Sequence, residues 1–151
     1  MDAMTILKRC RASGAELVEL DARIRQRRDA ATMISAVISG EPGHAPGGLA
    51  SDKIAAAAAA VADLEARAQQ RRERQAVELA AVSALAERLE GVQGRIVYLY
   101  YGKALTVRAV AKRVKYTEGY VRRLRREAED RLRQVPAEEV DELLPPWYTD
   151  T

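Results

Sequence analysis

The sequence holds one cysteine, one histidine and no phenylalanine in 151 residues, and aromatic residues make up only 5% of it. A lone Cys10 excludes a disulfide within the chain, and with His44 as the single imidazole no group of residues has metal-ligand spacing. Neither a metal nor any other cofactor is expected. No uninterrupted apolar run approaches the roughly 18 residues that cross a bilayer, and the alanine run at 55–60 is far too short. The opening MDAMTILKRC has no apolar h-region, so a soluble cytoplasmic chain with no targeting segment and no membrane partner is expected. A glycine-rich phosphate loop, a nucleophile beside a base and a pair of acids suited to one pocket are also missing. No catalytic residue can be nominated, and the chain is not expected to be an enzyme.

Hydrophobic residues supply 48% of the sequence, but much of that share is alanine. Alanine favours helix yet buries little area, so long helices held by many small contacts are expected. The length suits one ordinary domain, or a small domain with a helical extension. Net charge is only +3, and it is unevenly placed. Residues 95–133 carry twelve Lys or Arg against four acids, whereas 136–151 carry five acids and no base. Residues 1–38 and 39–94 are nearly balanced, at +2 and −2, and every aromatic residue lies at or after Tyr98. The chain therefore changes character near residues 91–94.

In the first segment Ile6, Cys10, Ser13, Leu17, Leu20, Ile24, Ala31, Ile34 and Ile38 follow alternating spacings of three and four, a heptad seam interrupted by Arg27. The seam stops at SGEPGHAPGGLAS, which concentrates four of the nine glycines and two of the five prolines. Ser51 and Asp52 then read as an N-cap and a first-turn acid, and Ile54, Ala57, Val61, Leu64 and Ala68 restart the spacing. Past the charged QQRRERQ, the stripe resumes at Leu79, Val82, Leu85, Leu89 and Val92. A helix over 52–90 would be about 58 Å long at 1.5 Å per residue and would overhang the first in an antiparallel pair. Its surplus stripe requires either the C-terminal segment or a second copy as partner, so a homodimer through the helical segments is a candidate assembly. The arginines at 23, 25, 27, 28, 71, 72 and 74 read as a solvated face or a second nucleic-acid surface.

The informative stretch is GRIVYLYYGKALTVRAVAKRVKYTEGYVRRLRREAEDRLRQVP. Ile96, Val97, Leu99 and Tyr100 form one face of a short helix with Gly102 as a left-handed stop. Thr106 caps a second helix that buries Val110, Ala111 and Val114. Thr117 caps a third, with Val121, Leu124, Ala128 and Leu132 at helical spacing and Pro136 as terminator. A small residue at the crossing and two caps eleven positions apart are what a helix-turn-helix requires, with its second helix able to enter the major groove of duplex DNA. On that helix Glu118, Gly119, Arg122 and Arg123 are expected to face the groove, flanked by Tyr120, Arg125 and Arg126. Arg122 is the expected base reader. Lys112, Arg113, Lys115 and the capped terminus at Thr117 are expected on phosphates.

With these residues in view, residues 95–132 resemble region four of bacterial sigma factors, through RIVYLYYGKALT, VAKRV, the Thr117 cap and YVRRLRREAEDRL. More widely, a helical first half, a Gly/Pro loop followed by SDKIAAAAAAVADLE and a sigma-like C-terminal module resemble phage and prophage late transcriptional regulators of the ArpU and RinA type. That resemblance implies a DNA-binding regulator of late or packaging genes in a bacterial host, with the host RNA polymerase as a candidate partner. Two departures stand out: Lys115 occupies a turn position where the sigma pattern has glycine, and Gly119 occupies that of a base-reading glutamate. The expected fold class is all-α: a coiled-coil-like helical hairpin over 1–90 with a Gly/Pro loop at 39–51, a helix-turn-helix over 95–135 and an acidic tail over 136–151. A small terminase subunit and a structural or adaptor protein with a basic nucleic-acid-binding module remain alternatives. The tail, with Leu143, Leu144, Trp147 and Tyr148, would dock on a partner, compete with DNA for the basic helix, or cover the module's own core.

Overall fold

The computed structural model describes residues 1–39 and 48–148. Most of the Gly/Pro loop, including His44, lies outside these residues, as do Asp150 and the side chain of Ile38. The fold is all-α: 83% of the described residues are helical and none of them is in a strand. Two long helices, α1 (Ala3–Ser39) and α2 (Gly48–Glu87), are followed by α3 (Val92–Val97), which runs into a π-helical turn (Tyr98–Gly102). Then come α4 (Val107–Val114), α5 (Glu118–Leu132) and α6 (Ala137–Glu142). Among the described residues no helix is long and apolar enough to cross a membrane.

The chain forms two compact units, one of residues 1–16 with 72–151 and one of residues 17–71. The division crosses both long helices instead of falling near residues 91–94. In the first unit Asp2 caps α1: its Oδ1 accepts from the Thr5 N–H at 2.8 Å and its Oδ2 from the Thr5 hydroxyl at 3.0 Å. The backbone donor is the main reason the Asp2 carboxyl lies below the usual range. Ile6, Leu7 and Cys10 of α1 are buried with Val82 and Leu85 of α2, with Val97 and Tyr101, and with Ala128 and Leu132 of α5. The surplus stripe of α2 thus finds its partner in the C-terminal segment. A second core gathers Ile96, Leu99, Val110, Ala111, Val114, Val121 and Leu124. Among the described residues of the second unit only Leu17, Ile24 and Ala68 are buried, with Leu20 and Leu64 against them and an Arg28–Glu65 ion pair alongside.

Several local expectations are corrected. The second long helix starts at Gly48, so Ser51 sits inside its first turn and does not cap it. Leu49 and Ala50 have ample helix propensity to carry the alanine-rich helix back that far. Gly102 is not the left-handed residue after α3; Ala104 is, at φ 56°. The backbone reaches it through the wide turn in which Lys103 N–H donates to Tyr98 O at 3.0 Å. Glycine at 102 leaves room for Leu79: a Cβ there would lie 2.9 Å from its Cδ1, so the leucine side chain would have to shift. Pro136 opens α6 four residues after α5 has already ended at Leu132. The acidic segment covers the module's own core: Val140 and Tyr148 are buried in the cluster that holds Ala128 and Leu132.

Tyr148 is held by a buried carboxylate. Its hydroxyl donates to Glu78 Oε1 at 2.7 Å, Arg74 Nε lies 3.5 Å from the same oxygen, and the Arg74 guanidinium stands 4.6 Å over the Tyr148 ring. Burial, reinforced by Glu78, raises the Tyr148 phenol, and burial with the same carboxylate pushes the Cys10 thiol up to about 12. Tyr148→Phe would leave a buried carboxylate oxygen without this donor, and urea unfolding is expected to show a loss of about 1–3 kcal/mol. Cys10, buried and protonated, is expected to resist a thiol reagent at pH 8 and to react fully once urea unfolds the chain; labelling followed by mass spectrometry checks this.

Candidate nucleic-acid interface

The C-terminal part of the first unit is built around two threonine caps. Thr106 (φ −68°, ψ 158°) accepts from the Ala109 N–H at 3.2 Å and starts α4. Thr117 (φ −70°, ψ 155°) accepts from the Tyr120 N–H at 3.2 Å and starts α5. Both caps fall where the sequence placed them, and each satisfies one of the free N–H groups of a helix start. Between them Lys115 is left-handed at φ 61° and ψ 41°, and the N–H groups of Lys115 and Tyr116 both turn back to the Ala111 carbonyl. Such a conformation disfavours a side-chain-bearing residue by about 1–2 kcal/mol, so the burial of Val110, Ala111 and Val114 on one side and of Val121 and Leu124 on the other must hold the turn in place.

Ten of the eleven residues singled out from sequence are exposed: Lys112, Arg113, Lys115, Thr117, Glu118, Gly119, Tyr120, Arg122, Arg123 and Arg126. They occupy the end of α4, the turn and the first half of α5. Glu118 and Arg122 pair at 3.4 Å, and Arg123 pairs with Glu127 at 3.2 Å. Both are exposed helical pairs, worth about 0–1 kcal/mol, so either arginine can exchange its carboxylate for a stronger anion. Arg123 is the more available of the two, its side chain 72% exposed against 49% for Arg122. Nothing lies within 4 Å of the Cβ position at Gly119, so packing does not demand glycine there.

Arg125 is the exception. Its guanidinium stands 4.3 Å from the Tyr100 ring centroid, its Nε is 3.3 Å from Glu129 Oε1, and its side chain is largely covered. Glu129 also accepts the Tyr101 hydroxyl at 2.5 Å, and burial together with that bond raises the Tyr101 phenol. Arg125 therefore belongs to the scaffold, because a position four residues after Val121 returns to the buried side of α5. From α1, Arg11 lies 3.9 Å over the same Tyr100 ring and donates to Leu105 O at 2.9 Å, which fastens the entry to α4.

Sequence reasoning passed over Tyr116. It is 46% exposed and its ring packs at 5.0 Å on that of Tyr120, itself 41% exposed. The signal was the four-residue spacing in YTEGY, hidden because Tyr116 lies before the Thr117 cap and outside the helical count. Arg108, exposed on α4, adds a further cation. The charges divide unequally: α4 with Lys115 carries four bases and no acid, whereas α5 carries five bases against four acids.

Comparison with known proteins yields no match to a family model, a curated protein or a solved structure.

Lys115→Gly relieves the left-handed strain at an exposed site, offset in part by the greater freedom of glycine in the unfolded chain. The expected result is a rise in stability of up to about 1 kcal/mol, read as an increased denaturation midpoint at constant m-value.

Proposed function

We propose that the chain is a sequence-specific double-stranded DNA-binding protein that regulates transcription by inserting the first turns of α5 into the major groove. The observation that carries this reading is the set of exposed cations distributed over α4, a left-handed turn and the start of α5, on a frame whose inner faces are closed by one apolar core. The major groove, about 12 Å wide, accepts a helix with its side chains. In that pose Arg122 and Arg123 address base edges, where a bidentate guanidinium matches guanine O6 and N7. Lys112, Arg113, Lys115 and Arg126 address phosphates, which position the protein and supply affinity without sequence information. Gly119 offers no side chain for a base contact, so a preference different from that of the sigma-like pattern follows. The resemblance of residues 95–132 to sigma region four and of the wider chain to phage late regulators supports a regulator of late or packaging genes, with host RNA polymerase as the candidate protein partner.

Binding of full-length protein to a site selected from a random duplex pool tests the reading. Arg122→Ala is expected to lose about 1–3 kcal/mol on that site and to relax its sequence preference, whereas Lys112→Ala weakens selected and unselected duplexes alike and makes binding less sensitive to salt. Equal affinity of the wild type and an Arg122/Arg123 double alanine variant on the selected site would refute the assignment.

A further inference from the structure

Tyr116 and Tyr120 are out of place for a core and unusual for a solvated face. Their rings meet at 5.0 Å and an interplanar angle of 65°, yet both remain exposed. They rise from the turn and from the first turn of α5, among Lys112, Arg113, Lys115 and Arg123, all exposed. Neither hydroxyl bonds to another described side chain, and the packed ring bodies form an apolar ridge, tipped by the two hydroxyls, within a strongly cationic surface. A cationic rim selects a polyanion, and the ridge selects an apolar group displayed by it. In duplex DNA the base faces are stacked and covered, which leaves the edges. The apolar group on the major-groove edges is the C5-methyl of thymine.

We infer that the Tyr116–Tyr120 pair reads the methyl group of a thymine in the major groove and is a specificity determinant beside the arginines. The inference rests on the DNA-binding reading above. Tyr120 and Arg123 are three apart on α5, which puts their Cβ atoms about 5–6 Å from one another. Base pairs are stacked 3.4 Å apart along each strand, so the thymine read by the ridge lies within about two base pairs of the guanine read by Arg123. A preferred site therefore contains a closely spaced thymine and guanine.

Uracil differs from thymine only by lacking this methyl group and keeps every hydrogen-bonding position, so it isolates the contact. In the duplex selected by the full-length protein, each thymine is replaced singly by uracil, and affinity is measured by fluorescence anisotropy for wild type, Tyr120→Ser, Tyr116→Ser and Tyr120→Phe. One or two positions are expected at which uracil weakens wild-type binding about fourfold, the equivalent of one buried methyl group. There Tyr120→Ser binds thymine and uracil alike, while Tyr120→Phe, which keeps the ring, retains the discrimination. Tyr116→Ser reports on the same ridge if Tyr120→Ser melts below wild type. A selected site without thymine, indifference of the wild type to every uracil, or an equal uracil penalty in wild type and both serine variants would overturn the inference while leaving DNA binding intact. Loss of discrimination in Tyr120→Phe would overturn it as well, since the contact would then run through the hydroxyl. A chain that binds single strands as tightly as duplex, with no selected site, would overturn the DNA-binding reading itself.

Discussion

Helix α5 is shared between two cores, and most of what the first unit can do depends on that sharing. Its first half contributes Val121 and Leu124 to the cluster closed by α3 and α4, and its second half contributes Ala128 and Leu132 to the cluster built on α1 and α2. A helix gripped at one end can swivel; one gripped at both ends cannot. The direction in which its exposed residues face is thus fixed by packing far along the chain, including Ile6 and Leu7 near the N-terminus. The Tyr100 ring repeats the constraint in aromatic form, since it holds the guanidinium of Arg11 at 3.9 Å and that of Arg125 at 4.3 Å. Each cation also has a counter-partner, backbone carbonyls for Arg11 and the Glu129 carboxylate for Arg125, so the two like charges are tolerated around one ring.

The charge distribution divides labour between the two helices of the proposed interface. With four bases and no acid, α4 and Lys115 attract any polyanion, whatever its sequence. Nearly neutral overall, α5 holds its arginines in pairs with Glu118 and Glu127, which give its outward face a definite pattern. In the proposed complex, long-range attraction and short-range discrimination would be carried by different residues, as phosphate and base contacts generally are.

Much of this was legible in the sequence because it follows from local rules. A threonine followed by an apolar pattern of period 3.6 marks a capped helix, and Thr106, Thr117, Val110, Val114, Val121 and Leu124 obey that rule without exception. Lys115 in the glycine position of the turn was also recognisable, and its positive φ is what the turn demands. Charge misled where it was weighed without helical phase. Arg125 looks like its neighbours in a row of arginines, but the phase of α5 turns it inward. In the C-terminal segment Tyr148 was legible as a residue able to cover the core, whereas Val140, set among acids, was passed over, and the burial of both closes the core. The wide turn at Tyr98–Gly102 left no signal, because glycine there answers to Leu79, a residue distant in sequence.

The unit of residues 17–71 carries a thermal consequence. Among its described residues only three apolar side chains are buried, so unfolding of these residues exposes little apolar surface to water. Apolar hydration is the source of the heat-capacity increment, which averages about 12–15 cal/mol/K per residue in globular proteins and must fall below that here. With so small an increment its stability varies almost linearly with temperature. Cooling does little to weaken it, and warming melts it gradually.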